Sequence, residues 1–216
     1  MKVELNKQLD KDIYLEFRKS VVGGVNFGEI IRKDHPEINE ENHEEYIENF
    51  YKLHQKELQS TRLDTAGCYG EIKEVLKTNL KKYFGREFHD ENCVCYLSIF
   101  NCNPRFLESQ SFQVYYKRPR NLRNEVLVHE LTHFAFYDFC RAIGLEDDKQ
   151  LWELSEIFNV IFLNLPGLQK VIGVEEKLFY PDLKEKLADI KKIWNENLPA
   201  EKFIKESLKH LKKFPA

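Results

Sequence analysis

The sequence predicts an α+β fold, predominantly helical with a small mixed β-sheet. Three observations carry that reading: apolar residues recur at helical spacing over most of the chain, a short central stretch alternates with period two, and glycine and proline mark the boundaries between them. With 216 residues, 42% of them hydrophobic, the chain can bury a core without a disulfide or metal staple. A formal net charge of −3 gives no general electrostatic reason to expect nucleic acid or an anionic membrane as partner. No run is long enough to span a bilayer, and residues 1–15 alternate charged with single apolar residues where a secretory signal needs a continuous apolar stretch. Five cysteines, an odd number without framework spacing, fit reduced thiols, so a cytoplasmic location is expected.

Taken in order, the elements begin with a segment that resists assignment. Gly23-Gly24 interrupts a β-branched stretch, and His35-Pro36 closes a short helical piece over residues 28–33. In residues 40–60, Tyr46, Ile47, Phe50, Leu53 and Leu58 recur at roughly helical spacing; in residues 69–84, Ile72, Val75, Leu76, Leu80, Tyr83 and Phe84 line one face before Gly85. These predict a helical hairpin. Residues 93–100 and the alternation of Phe112, Val114 and Tyr116 predict two strands, joined by a loop containing Asn103-Pro104. A helix over residues 122–143 ends at Gly144. Asp147 with Gln150 resembles a capping box opening another, which lasts until Asn164-Leu165-Pro166-Gly167. Two more helices are expected over residues 182–195 and 199–213.

The chemistry concentrates in the helix that ends at Gly144. His129 and His133 stand four residues apart, just over one turn, so both imidazoles leave the same face. Zinc takes nitrogen and oxygen ligands in a tetrahedron, and a rigid pair at this spacing supplies two of them at little entropic cost. Glu130 lies beside that ligand line, where its carboxylate can accept a proton from a zinc-bound water and pass it to a leaving amine. The bland reading makes both histidines buried helix residues with ordinary hydrogen bonds. Two imidazoles and a carboxylate on an apolar segment then need unrelated partners, which is costly.

His129-Glu130-Leu131-Thr132-His133, followed by Phe134, resembles the active-site helix of the zincin metallopeptidases, thermolysin-like enzymes included. The resemblance covers residues 111–163. No glycine-rich extension with a third histidine follows His133, so the metzincin subgroup does not fit. The resemblance implies a zincin-like arrangement, with a small sheet beside an active-site helix and a paired glutamate-bearing helix. It also implies one Zn²⁺ and a peptide or protein substrate. On this reading residues 1–88 form an N-terminal region with the helical hairpin and residues 89–216 a catalytic region.

In gluzincins the third ligand is a glutamate from the next helix, and here both Glu153 and Glu156 are available. In an antiparallel hairpin about the loop at residues 144–147, His133 faces a position near 158, which favours Glu156. Glu156 also lies among mostly apolar neighbours, whereas Glu153 shares its side with Lys149 and Gln150. By resemblance, Asn159 supports a zinc-binding histidine, and an edge strand comprising Phe112, Gln113, Val114, Tyr115 and Tyr116 binds the substrate backbone. An internal strand with Phe112, Val114 and Tyr116 in the core is the plainer alternative. The resemblance also implies an oxyanion donor from a tyrosine or histidine outside the two ligand helices; Tyr180 and His210 are the candidates, while Tyr137 reads as packing.

Other signals read as structural. Cys93, Cys95 and Cys102, with His89 nearby, read as buried small hydrophobes before they read as a second metal site. Lys117, Arg118, Arg120 and Arg123 make a basic cluster that reads first as a solvated face, and second as a hold for acidic peptides. The rival function is a helical interaction protein in which the histidine spacing is fortuitous or the metal merely structural.

Overall fold

The computed structural model describes residues 1–214. The chain opens with β1 (Lys2–Leu5) and α1 (Lys7–Phe17), then β2 (Val21–Val22), β3 (Val25–Asn26), α2 (Phe27–Asp34), α3 (His43–Leu53) and the long α4 (Gln55–Phe84). Three strands follow: β4 (Val94–Ser98), β5 (Arg105–Phe106) and β6 (Ser111–Tyr115). The rest is helical: α5 (Arg120–Ala142), α6 (Lys149–Leu163), α7 (Pro166–Ile172), a single 3-10 turn at Pro181–Leu183, α8 (Lys184–Ile193) and α9 (Ala200–Leu211). The fold is therefore α+β and predominantly helical with a small mixed sheet, and among the described residues no helix is long and apolar enough to cross a membrane.

Local chemistry explains many of the boundaries. Asn6 and Asn26 cap α1 and α2, each side-chain oxygen accepting a helical N–H that would otherwise lack a partner, from Leu9 at 3.0 Å and Glu29 at 3.1 Å. Gly23 and Gly24 both have positive φ, 55° and 84°, as a two-residue hairpin turn between β2 and β3 requires. Gly144, at φ 79°, ends the run of α5 in the left-handed conformation that disfavours any residue with a Cβ. The cap of α6 is Asp148, one residue later than the spacing of Asp147 and Gln150 indicates: Asp148 accepts from the Leu151 N–H at 2.7 Å, while Asp147 is drawn into an ion pair with Arg141 at 2.5 Å.

The expected hairpin of residues 40–60 and 69–84 becomes a short helix, α3, followed after His54 by one continuous helix of 30 residues, α4. Gly67 and Gly70 lie inside it, and each costs about 1 kcal/mol relative to alanine without ending it. The Leu165-Pro166-Gly167 break also has a different outcome. Pro166 occupies the first turn of α7, where its missing N–H is no loss, so the signal that ends one helix starts the next.

Two compact units are present, and neither is contiguous. One comprises Met1–Glu71 with Asp90–Leu127, the other Ile72–His89 with Val128–Ala216. The expected division at residues 88 and 89 is thus replaced by an interleaved one. Its physical reason is the parallel pairing of β1 with β4, Lys2 opposite Val94 through Leu5 opposite Leu97, which builds the N-terminus into the central sheet.

In the first unit the sheet order is β1-β4-β6-β5, with β6 parallel to β4 and antiparallel to β5. Its core gathers Ile13, Tyr14, Phe27, Ile31, Ile47, Leu58, Leu97, Ile99 and Phe100. The strand expected to offer an open edge is an inner strand, which corrects the substrate-binding assignment of Phe112, Gln113, Val114, Tyr115 and Tyr116. On the side away from β4, the Gln113 N–H donates to the Pro104 carbonyl at 2.9 Å and the Tyr115 N–H to Asn103 Oδ1 at 3.1 Å. Phe112, Gln113, Val114 and Tyr116 are buried, so the strand serves the core. Two members of the basic cluster have acidic partners. Arg120 pairs with Asp64 and with Glu71 at 2.7 Å, and Arg123 pairs with Asp64.

The second unit is organised by aromatic packing. Phe158 of α6 meets Phe136 of α5 with ring centroids 5.2 Å apart, Tyr83 at 5.3 Å and Phe162 at 5.1 Å. Phe136, Phe158, Phe162 and Phe203 are fully buried, and each contributes about 1.5–3 kcal/mol of apolar transfer free energy. This packing fixes the mutual placement of α5 and α6, on which the candidate site depends.

Candidate metal centre

The second unit brings His129 and His133 of α5 together with Glu156 of α6. One turn of α5 aims both imidazole Nε2 atoms at the same point, 2.9 Å apart. From α6, Glu156 Oε2 comes within 3.5 Å of His129 Nε2, and Oε1 within 3.3 Å of His133 Nε2. One ligand atom from each residue falls within 4.8 Å of the others, a grouping able to hold a metal ion. A tetrahedral zinc bonded at about 2.0–2.1 Å separates its donors by about 3.3 Å. The two imidazole-to-carboxylate distances are close to that edge, each to a different oxygen of Glu156, and the two nitrogens sit closer, at 2.9 Å.

The surroundings favour a cation. Glu130, Glu156 and Glu176 are all buried, against two imidazoles. Burying several carboxylates without compensation costs several kcal/mol each, so this donor set fits a doubly charged ion. His129 reports the same field: burial opposes its protonation, but the charge of Glu176, hydrogen bonds with Glu156 and Glu176 and the charge of Glu130 outweigh burial, raising its pKa well above the usual value.

The alternative ligand, Glu153, is engaged elsewhere. Its carboxylate takes Lys186 of α8 at 2.7 Å. Asn159, one turn after Glu156, supports His129 through the main chain: its Nδ2 donates to the His129 carbonyl at 2.9 Å, bracing the backbone of α5 rather than the imidazole. Tyr137 packs with its ring centroid 6.5 Å from that of His133, and its hydroxyl lies 3.4 Å from Ser155 Oγ.

The two candidate oxyanion donors fare differently. Tyr180 packs edge-on against Trp152 at 5.0 Å, and Trp152 precedes Glu156 by one turn of α6. His210 lies on α9 with its Nε2 3.4 Å from Asp189 of α8. The sequence reading missed Glu176, whose Oε1 lies 3.0 Å from His129 Nδ1. Glu176 follows α7 in an irregular segment, where no periodicity points to a partner on α5. The five cysteines are buried and form no disulfide among the described residues. Compared with family models, curated proteins and solved structures, the chain gives no match.

Proposed function

We propose that this chain is a zinc-dependent metallopeptidase with a zincin-like, gluzincin-type site. The observation that carries the reading is the convergence of His129, His133 and Glu156 at donor spacings suited to one tetrahedral ion, with Glu130 next to the first histidine. His129, His133 and Glu156 hold the zinc. When bound, zinc supplies Lewis acidity, acidifying a water and polarising the carbonyl to be attacked.

The remaining chemistry belongs to the protein. Glu130 takes the proton from the attacking water and returns it to the departing amine. Its near-complete burial keeps bulk water from competing for that proton. Asn159 keeps the His129 peptide from drifting. Tyr180 is the preferred oxyanion donor, because its contact with Trp152 ties it to the helix that carries Glu156. The substrate is a peptide or protein, a step that rests on the resemblance of residues 129–134 to peptidase helices.

Titration of the metal-free protein with zinc, beside His133→Ala, tests the site. Incubation of the zinc-loaded wild type with a mixed peptide library, with and without chelator, tests the activity. The proposal expects one zinc bound by wild type, a large loss of affinity in the variant, and chelator-sensitive cleavage. Tight zinc without cleavage would favour the rival reading of a structural metal in an interaction protein.

A further inference from the structure

Outside the helices, Glu176 is held by a two-point clamp. Asn164, the residue that ends α6, accepts the Glu176 N–H with Oδ1 at 3.0 Å, and its Nδ2 donates to the Glu176 carbonyl at 2.8 Å. The same Nδ2 donates to the Val160 carbonyl at 2.7 Å, which fixes the clamp to the last turn of α6. An irregular segment thereby acquires a defined position relative to the helix that supplies Glu156. The carboxylate it presents is buried, and Oε1 lies 3.0 Å from His129 Nδ1.

We infer that Glu176 is a positioning residue for the metal centre, an inference that rests on the proposed zinc site. A carboxylate can only accept at Nδ1. It therefore selects the His129 tautomer with the proton on Nδ1 and the lone pair on Nε2, the nitrogen that faces His133 and Glu156. It also fixes the rotation of the ring, and its negative charge makes Nε2 a stronger donor. The first histidine is then oriented by a residue that follows α7, through a clamp at the end of α6. Glu156 and the orientation of His129 share one anchor, so the centre is set by the geometry of α6 at both of its last turns.

The experiment compares wild type, Glu176→Gln and Asn164→Ala, with His133→Ala as the variant that lacks a ligand. Zinc dissociation constants come from chelator competition, the visible absorption of the Co²⁺-substituted proteins reports the ligand field, and metal-free thermal midpoints report the fold. The expected result is a zinc affinity about 10–100-fold weaker in Glu176→Gln with a changed Co²⁺ spectrum, and a smaller loss in Asn164→Ala. Wild-type affinity and an unchanged Co²⁺ spectrum in Glu176→Gln, whatever its midpoint, would overturn the inference and leave the zinc site standing. Should Glu176→Gln fail to fold, wild-type affinity and spectrum in Asn164→Ala would overturn it equally. Absence of zinc binding by wild type would remove the site itself, and the inference with it.

Discussion

His133 Nε2 and Glu156 Oε1 lie 3.3 Å apart, joining α5 to α6, while Glu153, three residues earlier on α6, pairs with Lys186. The two glutamates are alike in burial and differ in partner. Glu156→Gln is therefore expected to lose zinc. Glu153→Gln should keep it while losing about 1–3 kcal/mol of stability, because the largely buried Lys186 ammonium loses its charged partner. Metal analysis and denaturant unfolding of both variants check this. Loss of zinc in Glu153→Gln with retention in Glu156→Gln would reverse the assignment.

The aromatic packing that places α5 against α6 makes a second prediction. Phe158→Ala removes a fully buried ring in contact with Phe136, Tyr83 and Phe162, and should cost about 3–5 kcal/mol. Phe179→Ala, at a ring 48% exposed, should change stability by less than about 1 kcal/mol. Chemical denaturation of the two variants reads the difference, and equal losses would contradict this description of the core.

A third prediction concerns the first unit. Asp10 is fully buried and accepts from Ser98 Oγ at 2.6 Å, Tyr51 Oη at 2.7 Å, Gln113 Nε2 at 3.0 Å and the Ile99 N–H at 3.2 Å. Burial raises its pKa to about 6 against the pull of these hydrogen bonds. Because the folded pKa exceeds the unfolded one, the protonated acid stabilises the fold. That contribution is complete below the unfolded pKa, near 4, and is lost as pH rises through about 6. Asp10→Asn lacks this titration, so the stability gap between wild type and variant should narrow by about 2–3 kcal/mol from pH 4 to pH 7. A gap that stays constant over that range would refute the assignment.

Legibility in the sequence followed the range of the interactions. The face shared by His129 and His133 is local, set within one turn, and the height of Glu156 follows from a short connection between neighbouring helices. Both could be read directly. The pairing of β1 with β4 brings together residues far apart in the chain, through a strand of four residues, too short for the alternation of Lys2 and Glu4 with Val3 and Leu5 to stand out. Gly67 and Gly70 carry a breaker signal that the surrounding helix-forming residues of α4 override. The edge role expected of Phe112, Gln113, Val114, Tyr115 and Tyr116 failed because Asn103 and Pro104, legible only as a turn, fold back to cover the strand. Glu176 reaches His129 from an irregular segment, where position is set by the Asn164 clamp rather than by any period.

Zinc content and cleavage of a mixed peptide library, measured on wild type and on Glu130→Gln, separate the metal ligands from the base. One zinc is expected in both proteins and cleavage by wild type alone, since the substitution removes the proton acceptor and leaves the three ligands in place. Equal cleavage by both would contradict the role of Glu130, and absence of zinc from both would contradict the metal centre itself.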